Sequence, residues 1–218
     1  MSVVLRMVPS ERLRGQWGIA DVNDSARTVS LLSHLVDEKR ALIRGGSAGG
    51  YTVLQALTTP STAKAFAGGT SSYGISDLEA LMHDTHKFES HYLFKLIGLK
   101  TLGKEQEGEL KRVCAERSPL KNAKNIKAPV LVSESRTVFS GAQIDKGGLY
   151  KILHGSEDKV VPLNQAEAIV RTIREELHGK VEYVVFEGEG HGWRQSENIK
   201  AALEKELGFY EEVLGLKD

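Results

Sequence analysis

The run Ile43-Arg44-Gly45-Gly46-Ser47-Ala48-Gly49-Gly50-Tyr51 constrains this chain more than any other stretch. It reads as a strand that turns sharply through a serine into a helix. Gly45 and Gly49 flank Ser47 in Gly-x-Ser-x-Gly spacing, which lifts a serine hydroxyl onto the tip of a tight turn. Such a serine has strained backbone angles, and the residues two away on either side pack against each other. Side chains larger than hydrogen are expected to find no room at either glycine. Taken alone, the pattern also occurs in ordinary structural turns, because glycine and serine favour them.

The surrounding pattern alternates between strand and helix. Ile19, Val22, Ala26, Val29, Leu32 and Val36 recur at three and four residues, which predicts a helix over about 18–37. Strands are predicted over 40–45, 65–69, from 129, over 149–153 and over 181–186. Helices are predicted over 48–59, stopped by Pro60, and over 163–177 and 196–214. Residues 76–98 are rich in His and aromatics and look helical without a clean stripe. This order predicts an α/β fold, a mostly parallel sheet with helices on both faces, in one domain over 1–218.

Ligands of such sheets bind at the loops after the strands, and two of those loops carry charged chemistry. Leu153-His154-Gly155 is followed by Ser156-Glu157-Asp158-Lys159-Val160-Val161-Pro162, which places an acid after one strand. Val181–Phe186 is followed by Glu187-Gly188-Glu189-Gly190-His191-Gly192-Trp193. Serine, then aspartate, then histidine is the chain order of the α/β-hydrolases. Ser47 is a weak nucleophile at its free pKa and needs a base within hydrogen-bond reach. His191 would take that proton and return it to the leaving group, and Asp158 would fix the imidazole tautomer. Glu157 is the alternative acid, but neighbours in a turn point apart. The backbone N–H of Ala48 is the natural first oxyanion donor. Asp158 alone would read as a helix cap and His191 alone as a loop histidine; it is the joint order that carries the assignment.

Several segments together resemble a known family. They are Arg12-Leu13-Arg14-Gly15-Gln16-Trp17-Gly18, the elbow, Ser72-Tyr73-Gly74-Ile75-Ser76-Asp77-Leu78, Glu116-Arg117-Ser118-Pro119, and the acid and histidine loops. From about residue 11 onward the chain resembles the catalytic domain of the prolyl oligopeptidase family, in its acylaminoacyl-peptidase and dipeptidyl-aminopeptidase-like branch. The resemblance implies an α/β-hydrolase fold and a serine peptidase acting on short peptides, with Ser47, Asp158 and His191 as nucleophile, acid and base. An esterase or lipase would use the same three residues, and a catalytically impaired fragment is the third reading.

Two departures from the family pattern stand out. No His-Gly-Gly-Pro-like loop, which in the family completes the oxyanion hole, occurs before Ser47. The early strands and the β-propeller of the family are expected to be missing as well. The second departure is an insertion over 133–152, polar and turn-like, between Val132 and Leu153. It reads either as a functional surface loop or as the product of an error in the gene's assigned exons, such as retained intron sequence, and 149–153 are placed to refill the strand.

The remaining features bound the function. Lys plus Arg equals Asp plus Glu at 29 each, so charge argues against nucleic acid and anionic membrane as partners. No stretch approaches the roughly 18 apolar residues of a membrane span. One cysteine, Cys114, suits a reducing, cytoplasmic setting, and no elbow surrounds it to make it a nucleophile. Tyr51, Tyr73 and Trp193 are the candidate substrate contacts, with packing as the competing role; Trp17 reads as packing. His83, His86 and His91 read as a solvated face rather than a metal site. Neither a metal nor a cofactor is expected, and oligomerisation stays open.

Overall fold

The computed structural model describes residues 11–84, 90–99, 106–126, 130–131, 149–177 and 180–216. Among the described residues five strands form one sheet: β1 (Leu42–Gly46), β2 (Gly68–Ser72), β3 (Val130–Leu131), β4 (Leu149–Gly155) and β5 (Lys180–Phe186). They lie in the order β1-β2-β3-β4-β5, with β2 also touching β4, and each pairing is parallel.

Helices cover both faces, and β5 shows why. Tyr183 and Val185 join the apolar cluster on one face, while Val184 and Phe186 join the cluster on the other. That is the period-two alternation of a strand buried on both sides. The first face is covered by α1 (Ala20–Leu31), α2 (Ala48–Thr58) and α7 (Asn164–Glu175). Val22, Leu54, Leu57, Ile169, Val170 and Ile173 fill it. On the second face Leu153, Val184 and Phe186 meet Ala202 of α8 (Ser196–Val213). A third cluster joins Trp17 and Tyr51 to α4 (Leu78–Asp84), α5 (Ser90–Ile97) and α6 (Glu107–Arg117).

Some expectations shift. The first helix ends at Leu31, and Val36, placed on its apolar stripe by spacing, is exposed. Pro60 stops α2 but also starts the short α3 (Pro60–Ala63), where its fixed φ suits the first turn. The strand expected over 65–69 is β2, three residues later. Its sequence Gly-Gly-Thr-Ser-Ser is polar, yet four of its five residues are buried. The polar atoms are bonded: Thr70 donates to Tyr210 Oη at 2.9 Å and Ser71 to the Gly50 carbonyl at 3.1 Å. The small side chains admit close neighbours, because a Cβ on Gly69 would lie 2.9 Å from both Ile43 and Leu57.

Most of 133–152 lies outside the described residues, but both flanks are placed. Leu131 faces Thr70 of β2, and Leu153 faces Ser72. Residues 149–152 do enter a strand, pairing with 180–183 of β5.

Candidate active site

The C-terminal ends of β1, β2, β4 and β5 converge on one rim of the sheet. Gly46 pairs with Ser72, Ser47 N–H donates to the Ser72 carbonyl at 3.0 Å, and Tyr73 N–H donates to the Leu153 carbonyl at 2.7 Å. One strand along, Ser156 N–H reaches the Phe186 carbonyl at 3.1 Å. Strand register therefore places the three chemical loops side by side.

Ser47 stands between strand and helix at φ 55°, ψ −123°, a conformation that a non-glycine residue holds only when its surroundings enforce it. The enforcement is close backbone contact. A Cβ on Gly45 would overlap the Gly49 carbonyl, whereas one on Gly49 would meet nothing within 4 Å. The expectation of equal crowding at both glycines therefore holds only at Gly45. Ala48 opens α2, so its N–H has no intrahelical acceptor and points out of the helix start.

Asp158 is buried, and its side chain has 0% exposure. Its Oδ1 accepts the N–H groups of Val160 and Val161, both at 2.9 Å. Its Oδ2 lies 2.8 Å from Nδ1 of His191. Glu157 is exposed and uses its backbone N–H on the Glu189 carbonyl, so the shorter acid is the one turned inward. Across the ring, His191 Nε2 lies 2.7 Å from Ser47 Oγ. The carboxylate can only accept, so Nδ1 carries the proton and Nε2 is free to accept from the serine. Residues 47, 158 and 191, far apart in sequence, thus form one hydrogen-bonded line.

Tyr73, at φ 40°, is wedged over this line. A Cβ on Gly46 would lie 2.8 Å from its ring. The ring meets the His191 imidazole edge to face, with centroids 4.9 Å apart, and Trp193 at 5.2 Å. Burial, then the negative charge of Asp158, raises the Tyr73 phenol above its ordinary value, so its hydroxyl stays protonated. Trp193 also packs on Phe186 at 4.7 Å, half lining and half supporting.

Tyr51 is a correction. It is fully enclosed, stacked on Trp17 at 4.3 Å, with its hydroxyl donating to the Arg117 carbonyl at 3.0 Å. One turn after the nucleophile, the helix has rotated this side chain into the core. Cys114 is likewise buried, and its thiol is pushed up to about 12, by burial first and then by Glu79 and Asp77. A thiol so protonated is no nucleophile. The side chains of His83, His86 and His91 lie outside the described residues.

Two residues given no role in the sequence reading also border the site. His154 is completely buried; its Nε2 lies 2.8 Å from the Val161 carbonyl and 3.6 Å from Asp158 Oδ2. Glu189 is buried in the histidine loop. An acid between two glycines beside a histidine was the only signal available for it.

The chain matches the prolyl oligopeptidase family over residues 10–217. The chain belongs to the prolyl oligopeptidase family. Among its relatives is a dipeptidyl aminopeptidase BIII of Pseudoxanthomonas mexicana, 32% identical over 178 residues, covering 82% of this chain and 22% of the relative. A solved Mycobacterium tuberculosis puromycin-hydrolyzing peptidase is 38% identical with TM-score 0.75, over 94% of this chain and 27% of that one. A Pyrococcus horikoshii acylaminoacyl peptidase, at 23% identity and TM-score 0.59, shares the fold. The sheet and its helices are accordingly an α/β-hydrolase fold. This prolyl oligopeptidase family chain spans about a quarter of the length of the relatives it matches. Among the described residues no helix is long and apolar enough to cross a membrane.

Proposed function

We propose that this chain is a serine-type peptidase acting on short peptides through an acyl-enzyme on Ser47. The observation that carries the reading is the continuous line from Ser47 Oγ through the His191 ring to Asp158, at 2.7 and 2.8 Å. The family relatives named as peptidases favour an amide substrate over an ester one, because the three residues by themselves serve both.

In the proposed reaction Ser47 Oγ bonds to the scissile carbonyl carbon as its proton passes to His191 Nε2. Asp158 stabilises the imidazolium so formed. The carbonyl oxygen becomes an oxyanion and accepts from the Ala48 N–H. The C–N bond then breaks, the Nε2 proton leaves with the amine, and the acyl group stays on Ser47 as an ester. A water molecule, deprotonated by His191, repeats the sequence and releases the carboxylic acid. Tyr73, backed by Trp193, walls the side of the imidazole and is the substrate contact in this reading. The lone buried Cys114 suits a cytoplasmic setting.

The test is labelling of the purified chain with a fluorophosphonate probe. Labelling that vanishes in Ser47→Ala and falls about ten-thousandfold in Asp158→Asn supports the reading; no labelling of the parent overturns it. Aminoacyl-nitroanilides run beside nitrophenyl esters then decide between peptidase and esterase, and hydrolysis of esters alone would replace the first with the second.

A further inference from the structure

Glu189 lies two residues before His191 and is 1% exposed. Its Oε2 accepts the Arg194 N–H at 2.9 Å, and its Oε1 accepts the Gln195 N–H at 2.9 Å and Asn198 Nδ2 at 3.0 Å. The side chain therefore closes residues 189–195 into a ring, with His191 inside it. Its backbone holds the ring from the other side. The Glu189 carbonyl accepts the Glu157 N–H at 2.9 Å, and its own N–H donates to the Phe186 carbonyl at 3.2 Å. One residue thus fastens the histidine loop to the acid loop and to the first turn of α8, where the helix dipole favours a negative charge.

Burying a carboxylate is costly unless its oxygens are satisfied. Here burial works against ionisation, but the bonds from Asn198, Gln195 and Arg194 outweigh it and hold the carboxyl below its ordinary range. The fixed anion is therefore charged at neutral pH. Gly188 and Gly192 have φ of 72° and 109°, conformations that leave the segment soft unless it is fastened. Ser156 Oγ accepts the Gly188 N–H at 2.9 Å on its near side, and Glu189 supplies the side-chain bonds to Arg194, Gln195 and Asn198 on its far side.

We infer that Glu189 is a positioning residue for His191, holding the imidazole between Ser47 and Asp158 through the ring it closes. The inference rests on the serine hydrolase reading for its rate effect, but not for its structural effect. Loss of the ring displaces the imidazole, and a displacement of about 1 Å is enough to cost on the order of a hundredfold in rate.

The full chain and Glu189→Gln are compared by fluorophosphonate labelling, by melting, and by the low-field proton resonance of the His191 Nδ1–H held by Asp158. In the variant an NH2 group replaces one acceptor, so an amide donor faces a backbone donor. Labelling is expected to fall about a hundredfold in protein that is still folded at the assay temperature, with KM for a nitroanilide unchanged and the resonance broadened or lost. A Glu189→Gln chain that melts lower but keeps both its labelling rate and its resonance would overturn the inference and leave the residue a stability element. If the parent is never labelled, the hydrolase reading fails, while loss of the resonance in Glu189→Gln still supports the positioning role and its persistence still overturns it. Should Glu189→Gln not fold, Asn198→Ala removes one of the three bonds; a smaller loss of labelling, about threefold to tenfold, supports the role, and no loss overturns it.

Discussion

Gly45 touches Gly49 backbone to backbone, while the Cβ position of Gly49 opens on empty space. The elbow is therefore tight on its strand side only. Gly45→Ala must displace the first turn of α2 and is expected to cost about 1–3 kcal/mol, the usual range for overpacking. Gly49→Ala adds a helix-favouring residue without a clash and is expected to leave stability equal to the parent or up to about 1 kcal/mol higher. Thermal melts of the two variants check this, and equal losses would mean the contact is not asymmetric.

Tyr51 and Tyr73 follow the ends of adjacent strands but do different work. Tyr51→Phe removes the bond to the Arg117 carbonyl and is expected to lower stability by about 1 kcal/mol with KM unchanged. Tyr73→Ala removes the ring against His191 and is expected to change KM and kcat more than the melting temperature. Steady-state kinetics on a nitroanilide beside melting curves separates the two; a KM effect at Tyr51 would restore it as a substrate contact.

His154 makes stability depend on pH. Its Nε2–H donates to the Val161 carbonyl, and its Nδ1 has no partner. Burial holds the imidazole below its ordinary value, against the pull of the Val161 bond, Asp158 and Glu167; the charge of His191 adds to the lowering. The unfolded chain takes up a proton near pH 6.5 while the folded chain resists it. Between those two values the unfolded state holds more protons, so stability falls as pH drops below about 6.5. Urea midpoints at about pH 7.5 and 5.5 should differ more in the parent than in His154→Gln; equal differences would remove His154 as the source.

The parts of the fold that were legible in sequence are those where backbone strain or period leaves a mark. The elbow needs Gly45, α7 needs an apolar stripe, and the histidine loop follows the β-branched run of β5. β2 lies three residues beyond its predicted place because its hydrogen-bonded Thr70 and Ser71 look like loop, while Ala65 and Phe66 before it look like strand. α6 leaves no periodic signal because it buries only Val113 and Cys114, too few for a stripe. Tyr51 departs from its expected role because nearness to Ser47 in sequence says nothing of helix rotation. His154 and Glu189 leave little mark as site neighbours, since most of their hydrogen bonds are to backbone groups that carry no residue identity.

The register across β2 bears on the segment 133–152. From Thr70 to Ser72 is two steps along β2, and the facing chain passes from Leu131 to Leu153 over the same two steps. A continuous strand would bring residue 133 beside Ser72. Removing 133–152 joins Val132 to Leu153 and puts Leu153 in that same place. The pairing of Leu153 with Val184 in β5 then needs no change, and neither does the approach of Asp158 to His191. The prediction is that a chain lacking 133–152 folds, melts no lower than the parent and labels at Ser47 at least as fast. The alternative is that 149–152, which pair with β5, are needed to complete the sheet. In that case the shortened chain would melt lower or aggregate, and 133–152 would be an integral part of the fold. A circular dichroism melt and a labelling time course on the two chains decide between them.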